Sequence, residues 1–391
     1  MTDRQRTRSQ YALILCMGIN TVVYSLSYPL LSLAMHQRGF GADIIGISTA
    51  LQASSVFIFA PLVPRIVSML GPMKVVVLAL VLTAVLFISF PFAESIGIWI
   101  MLRFALGAAN NLMWIAGESL VNHLADEKRR GRAIAHYTMA LSAGFALGPF
   151  MLTLTGSQGV APFAAAAATV VLSMVPALMV TEVRAEFNDR KALKLWTVFR
   201  QTPAPMITNL VFGATSGIMI TFLPIYALRL GISENFALYC ITIGAVGGIL
   251  AQPLIGRLAD RFNRLLMLLL MLVASTLVTA MMPLFFMLPV AGLIYFFIMG
   301  GTRTGMYSLS VTLMGEKYRG AELASASALF NLMWGLGNTA GPYLGGYAID
   351  WWNPHGVPAS MTLITALAIP VCIWLIWRQR VLIRASCNES R

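Results

Sequence analysis

Seven residues suited to binding or proton transfer lie in one long apolar stretch of the chain. Most are three or four positions apart, so on a helix turning about 100° per residue they share an arc of roughly 120°. They are Arg103, Gly107, Asn110, Asn111, Trp114, Glu118 and Asn122. An ionised side chain among apolar groups is costly, so we expect Arg103 and Glu118 to face a cavity or a partner.

Glu118 is the side chain of this stretch that can carry a proton, because a carboxyl group in apolar surroundings gains and loses its charge as those surroundings change. Arg303, in a later apolar stretch, is a candidate partner for it. The two would serve as a proton carrier and its counter-charge, or would grip the two ends of a polar solute. A static ion pair is the structural alternative, and hydrogen bonds between helices are the alternative for Asn110, Asn111 and Asn122.

The composition identifies an integral membrane protein. Of the 391 residues, 58% are hydrophobic and only 11% are charged, whereas soluble domains carry about 25% charged residues. Glycine, proline and charged residues divide the apolar runs into twelve candidate helices, one of them at 43–68. Most approach or exceed the ~20 residues that cross a bilayer. We therefore predict an all-α integral membrane fold with twelve transmembrane helices.

The basic residues predict the orientation of these helices. With both termini in the cytoplasm, all but four of the 27 Lys and Arg residues fall in cytoplasmic segments, the bias expected of a membrane protein. Arg38 and Arg229 lie outside, and Arg103 and Arg303 lie within spans. The net charge of +12 thus reflects topology and contact with anionic lipid, and we expect no nucleic-acid partner. The predicted location is the bacterial inner membrane, with multiple passes.

The chain consists of two related halves. The connections at 127–131 and 316–320 both read E-K-x-R-G, and the helices that follow reach "GFALGP" at 144–149 and "GNTAGP" at 337–342. Two parallel six-helix repeats with a solute site at their interface are a transporter architecture. We predict an N-terminal bundle at 1–183, a cytoplasmic linker at 184–203 and a C-terminal bundle at 204–391, the two being pseudo-symmetric.

This arrangement resembles the major facilitator superfamily over essentially the whole chain. The most specific motif is "GRLADRFNR" at 256–264, which matches the superfamily's G-x-L-x-D-R loop. The resemblance implies that Asp260, Arg257 and Arg261 help to latch the cytoplasmic side shut, and we expect Gly256 to let two helices approach closely. Arg65 takes the aspartate position in the equivalent first-half loop, so which half holds the gate stays open.

Other fragments resemble one branch of that superfamily. "RFALG" at 103–107 is similar to a fourth-span motif of drug/proton antiporters, and "GLGNTAGPYLGG" at 335–346 contains their G-x-x-x-G-P-x-x-G-G signature. The combination of M-W-x-x-x-E-S, R-G-R-x-x-A-x-Y and G-R-L-A-D is most similar to the YcaD-like bacterial branch. The resemblance implies that spans one, four, seven and ten line a central cavity, across which Glu118 and Arg303 face each other.

Six further residues are candidates for binding the substrate or the proton. They occur at helical spacing on spans one and eleven and are polar or aromatic. They are Asn20, Tyr24, Tyr28, Asn331, Trp334 and Asn338.

We predict a monomeric secondary active transporter that works by alternating access, with a small-molecule substrate, protons and the lipid bilayer as partners. The antiporter-like motifs favour proton-coupled export (antiport) of small organic or amphipathic compounds. The Asn-rich, charge-paired face favours the alternative, proton-coupled uptake (symport) of a polar metabolite, and a lipid flippase stays open. A membrane-embedded enzyme would need a clustered nucleophile and base, for which His123 near Glu118 is the only hint. We expect no enzyme, and the cysteine spacing and lack of a phosphate-binding loop predict no metal and no cofactor.

Overall fold

The computed structural model describes residues 3–124, 130–180 and 194–389. Within these ranges the chain forms fourteen α-helices and a short 3-10 turn, Phe90–Phe92. The helices are α1 Asp3–Gln37, α2 Ala42–Phe59, α3 Val63–Leu70, α4 Pro72–Ser89, α5 Ile96–Leu124, α6 Arg130–Thr155, α7 Ala161–Leu178, α8 Leu195–Gln201, α9 Pro203–Arg229, α10 Glu234–Arg261, α11 Arg264–Phe286, α12 Pro289–Lys317, α13 Gly320–Trp351 and α14 Gly356–Glu389.

Ten of the helices in the described ranges are long and apolar enough to cross a membrane. Two more, α12 and α13, have 29 and 32 residues and are less uniformly apolar, because they carry Arg303 and side chains such as Asn331 and Asn338. The remaining two, α3 and α8, are short. The prediction of an all-α membrane protein with twelve long helices is confirmed.

The helix expected at 43–68 is in fact two helices, so the sequence prediction of one span was wrong there. Helix α2 ends at Phe59 and α3 begins at Val63. Pro61 lacks the backbone N–H that a continuing helix needs, and its ring clashes with the preceding turn. Pro64 then lies in the first turn of α3, where a missing N–H leaves no hydrogen bond unmade.

The helices form two compact units. Unit 1 contains α1 to α7 together with Ser233–Thr242, which includes the start of α10, and unit 2 contains α8, α9, the rest of α10 and α11 to α14. In unit 1, α1 packs mainly against α6 and α7, and in unit 2, α9 packs mainly against α13 and α14. The same pairs therefore recur in the two halves. The predicted boundaries at 1–183, 184–203 and 204–391 stay a prediction, and much of that linker lies outside the described residues.

Glycines of the two G-x-x-x-G-P motifs lie where the main helix pairs touch. A Cβ atom on Gly148 of α6 would overlap Ser25 on α1, and one on Gly341 of α13 would overlap the carbonyl oxygen of Ala214 on α9. Small residues at such contacts allow the close van der Waals packing that drives helix association in membranes. These glycines thus hold each unit together.

Candidate functional site

The predicted polar face of α5 is divided into a buried part and an exposed part. Arg103 and Asn110 are 0% and 5% exposed, whereas Asn111 and Trp114 are half-buried and Glu118 is exposed. One helical face thus serves two purposes. The first part packs against neighbouring helices of unit 1, and the second part is partly or fully exposed. The side chain of Asn122 lies outside the described residues.

Arg103 is held inside unit 1 by neutral groups. Its Nε donates to Oε1 of Gln52 on α2 at 2.9 Å, and its Nη1 lies 3.5 Å from Sδ of Met35 on α1. Its Nη2 has no hydrogen-bond partner among the described residues. In the part of the chain that the structure describes, none of the ion pairs includes Arg103. The guanidinium therefore joins three helices without a neutralising carboxylate.

Two further residues tie α5 to α2. A Cβ atom on Gly107 would overlap the carbonyl oxygen of Gln52, so the two helices are in direct backbone contact there. Nδ2 of Asn111 donates to Oγ of Ser55 and to the carbonyl oxygen of Gly107, both at 2.9 Å. Asn111 thus makes the helix-to-helix hydrogen bond that was the structural alternative for it.

An aromatic cluster joins α1, α5 and α6 beside the exposed part of α5. The ring of Tyr24 lies 5.4 Å from Tyr28 and 5.9 Å from both Trp114 and Phe145, and the Tyr24 and Tyr28 hydroxyls are 3.0 Å apart. Three predicted residues therefore come together. Phe145 was missed, although it stands between the two glycines of "GFALGP" that face α1.

Glu118 follows Trp114 by one helical turn, so its carboxylate lies on the same side of α5 as the indole ring. Asn20 precedes Tyr24 by one turn on α1 and is buried. Unit 1 thus offers an exposed carboxylate next to aromatic rings. That combination suits a proton, or a solute with an apolar part and a polar or cationic part.

Arg303 lies inside unit 2, 5% exposed, and its described partners are all on α9. Nη2 donates to Oγ of Ser216 at 2.7 Å and to Oγ1 of Thr215 at 3.3 Å. Nη1 lies 2.8 Å from Sδ of Met219, and the guanidinium carbon lies 5.9 Å from the ring centre of Phe212. Its Nε has no hydrogen-bond partner within the described part of the chain. These α9 residues were missed, although a Thr-Ser pair inside an apolar helix was visible in the sequence.

The pairing of Glu118 with Arg303 stays a prediction. Glu118 belongs to unit 1 and Arg303 to unit 2, and within its own unit the guanidinium is held by hydroxyl groups and a thioether.

The predicted residues of α13 have different surroundings. Asn331 is exposed, Trp334 is half-buried and Asn338 is 4% exposed. Glycines of α9 lie against this helix: a Cβ atom on Gly213 would overlap the carbonyl oxygen of Trp334, and one on Gly217 would lie 2.8 Å from Oδ1 of Asn338. Asn338 therefore belongs to the α9–α13 contact, and Asn331 is the accessible member.

One of the predicted cytoplasmic latch residues, Asp260, is paired with Arg264, a residue that the sequence prediction of the latch did not include. Arg264 donates from Nη2 to Oδ1 of Asp260 at 3.0 Å and forms a second ion pair with Glu316. Oδ1 of Asn263 accepts from the N–H groups of Leu265 and Leu266, which fixes the start of α11 and the direction of Arg264.

The other residues of this motif do not take part in the cluster. Arg257 and Arg261 are exposed and belong to none of the ion pairs among the described residues. The expected close helix approach at Gly256 was wrong, since no atom of another described helix lies within 4 Å of a Cβ atom placed there. Helix α10 instead meets α12 earlier, where a Cβ atom on Gly247 would overlap the carbonyl oxygen of Phe297.

Comparison with known proteins agrees with this geometry. The Major Facilitator Superfamily model matches residues 13–302 and 206–386. The uncharacterized MFS-type transporter YfkF of Bacillus subtilis is 23% identical over 360 residues, covering 90% of this chain and 92% of that protein. The uncharacterized MFS-type transporter YcaD of Escherichia fergusonii is 24% identical over 253 residues, covering 62% of this chain and 63% of that protein.

Solved structures share the fold at low sequence identity. An inward-facing, unoccupied bacterial homolog of the human lysosomal transporter Spinster superposes with a TM-score of 0.77 at 14% identity, covering 98% of this chain and 99% of that chain. The nucleoside transporter NupG superposes with a TM-score of 0.76 at 12% identity, covering 94% of this chain and 98% of that chain. The chain therefore belongs to the Major Facilitator Superfamily and is a secondary transporter that crosses the membrane many times.

Proposed function

We propose that this transporter exports small organic or amphipathic compounds in exchange for protons, with Glu118 as the residue that carries the proton. The observation behind this proposal is the position of Glu118, an exposed carboxylate inside a long apolar helix, one turn from Trp114. A carboxylate at membrane depth is costly when ionised. A proton or a positively polarised group of the solute therefore has reason to bind there.

In this scheme the proton and the solute compete for one carboxylate. The ionised form of Glu118 holds a polar or cationic group of the solute while its apolar part lies against Trp114 and Tyr24. Protonation removes the charge and weakens that hold, so the solute leaves and the proton is carried in the opposite direction. The antiporter-like motifs at 103–107 and 335–346 support this direction of coupling. We place the transporter in the bacterial inner membrane, as a monomer with cytoplasmic termini.

Uptake of a polar metabolite with a proton is the second candidate, and Arg303 favours it. Its buried guanidinium has an Nε for which the described residues supply no hydrogen-bond partner, and it has hydroxyl groups beside it. An anionic group of a solute would neutralise that charge and accept bidentate hydrogen bonds from it.

A thermal-shift screen of the purified protein at two pH values tests the proposal. The screened compounds would include organic amines, amphipathic amines, organic acids, amino acids and nucleosides. We expect amines to stabilise the protein, more strongly at the higher pH because Glu118 is then ionised. That pH dependence should vanish in Glu118→Gln and persist in Glu94→Gln, which alters an exposed carboxylate outside the helices. Stabilisation by organic acids that depends on Arg303 would favour the second candidate instead.

A further inference from the structure

The short helix α8, within the connection between the two halves, has one buried and one exposed face. Val198 is completely buried, while Trp196 and Leu195 are 61% and 44% exposed. Lys194 and Arg200 are exposed as well. Exposed aromatic, aliphatic and basic side chains on a short helix are typical of helices that lie in a membrane interface.

The buried face of α8 is fixed to unit 2. Val198 packs in an apolar cluster with Met206, Met314 and Tyr318. Lys317 donates to the carbonyl oxygen of Gln201 at 2.6 Å, and the Tyr318 hydroxyl lies 3.3 Å from Oε1 of the same glutamine. Burial raises the pKa of Tyr318, so its hydroxyl stays protonated and can donate. The orientation of the exposed face is therefore set by the residues that dock the helix.

Helix α8 ends two residues before α9 begins at Pro203, and α9 is long and apolar enough to cross a membrane, so we expect the exposed face to lie near the bilayer surface. On that face the rings of Trp196 and Phe199 are stacked, with centroids 5.7 Å apart and planes within 7°. The guanidinium of Arg200 lies 5.0 Å from the centre of the Trp196 ring. Neither Arg200 nor Lys194 belongs to any of the ion pairs between described residues.

We propose that Trp196 and Arg200, with the exposed Lys194 at the start of the same helix, form a headgroup site that binds an anionic phospholipid. Arg200 supplies planar donors that match a phosphate bidentately, and Lys194 adds a second positive charge. Trp196 places its indole at the depth of the headgroups. An anionic headgroup brings a net negative charge to the two positive side chains. A zwitterionic headgroup also brings a positive group, which those side chains repel. This site is independent of the proposed solute and of proton coupling.

Quenching of tryptophan fluorescence by brominated lipid tests this site on the full-length protein. The protein would be placed in phosphatidylcholine nanodiscs that contain the same fraction of brominated phosphatidylglycerol or brominated phosphatidylcholine. The signal of Trp196 is the part of the tryptophan fluorescence that is lost in Trp196→Phe. We expect brominated phosphatidylglycerol to quench the Trp196 signal more strongly than brominated phosphatidylcholine does. Arg200→Gln should lower this preference for phosphatidylglycerol about fivefold. Arg200→Lys should keep most of the preference because it keeps the charge.

The control is Arg378→Gln, which removes a guanidinium that lies 5.4 Å from the ring centre of Trp374 on α14. The lipid preference of Trp196 should survive that change. Equal quenching by the two lipids would contradict the proposal, because Trp196 would then be an interfacial anchor without headgroup recognition. Absence of quenching by either lipid would also contradict it. Loss of the preference on addition of soluble glycerol 1-phosphate would assign the site to a free phosphate, and the lipid proposal would be wrong.

Discussion

Tyr24 of α1 and Trp114 of α5 meet edge to face, with ring centroids 5.9 Å apart and planes at 78°. This contact places an indole ring, which is only half-buried, one turn before the exposed carboxylate of Glu118. Tyr24 is itself fixed by a hydroxyl contact with Tyr28 at 3.0 Å. The proposed solute site therefore has an aromatic wall that is held in place before any solute binds, which lowers the entropic cost of binding.

Removal of the Trp114 ring should weaken solute binding more than its replacement by another aromatic ring. We expect Trp114→Ala to raise the Kd of an amphipathic amine about fivefold, since an aromatic or cation–π contact contributes about 1 kcal/mol. Trp114→Phe should retain most of the affinity. Isothermal titration of the purified variants measures both. Trp374→Ala, which removes an exposed indole of α14, is the matched control, and an unchanged Kd in Trp114→Ala would rule out the aromatic wall as a binding element.

The two buried arginines should respond differently to substitution. If Arg303 binds an anionic group, Arg303→Lys should weaken the binding of an organic acid, and Arg303→Ala should weaken it at least about tenfold, because a hydrogen bond to a charged group contributes about 1.5–3 kcal/mol. Arg103→Gln should leave that affinity unchanged and lower the melting temperature, since Arg103 joins α5 to Gln52 and Met35. Equal affinity in all the Arg303 variants would assign Arg303 a structural role.

The proposed cytoplasmic latch depends on Arg264. We expect Asp260→Asn and Arg264→Gln to increase the rate at which a membrane-impermeant maleimide labels a cysteine placed at Asn111, because each change breaks the same ion pair. Arg257→Gln and Arg261→Gln remove exposed positive charges of the same motif and should leave the rate unchanged. Equal effects of Arg264→Gln, Arg257→Gln and Arg261→Gln would indicate a loss of positive charge rather than of a specific pair.

The sequence predicted most of the helices and part of the site. Apolar run length and helical spacing are local properties, so they were sufficient for the twelve long helices and for the alignment of Trp114 with Glu118. The break at Pro61 was missed, because the apolar character on either side of it suggested one continuous span.

The partners of the charged residues could not be predicted in the same way. Arg103 is sealed against α2 because Gly107 allows backbone contact with Gln52, and that contact depends on a second helix. Arg264, rather than Arg257 or Arg261, pairs with Asp260. Asn263 caps the start of α11, and this cap sets the direction of Arg264. Such partners depend on the direction of neighbouring helices. The spacing of residues on one helix carries no information about that direction.

The central claim is that Glu118 carries the coupled proton, and proton flux in Glu118→Gln tests it most directly. Proteoliposomes would contain a trapped pH-sensitive dye and receive an amine identified in the thermal-shift screen. We expect the wild type and Glu94→Gln to move protons when the amine is added. Glu118→Gln should move no protons, and it should exchange labelled for unlabelled amine only at higher amine concentrations, because it has lost the charge that holds the amine. Proton flux in Glu118→Gln equal to that of the wild type would contradict the account.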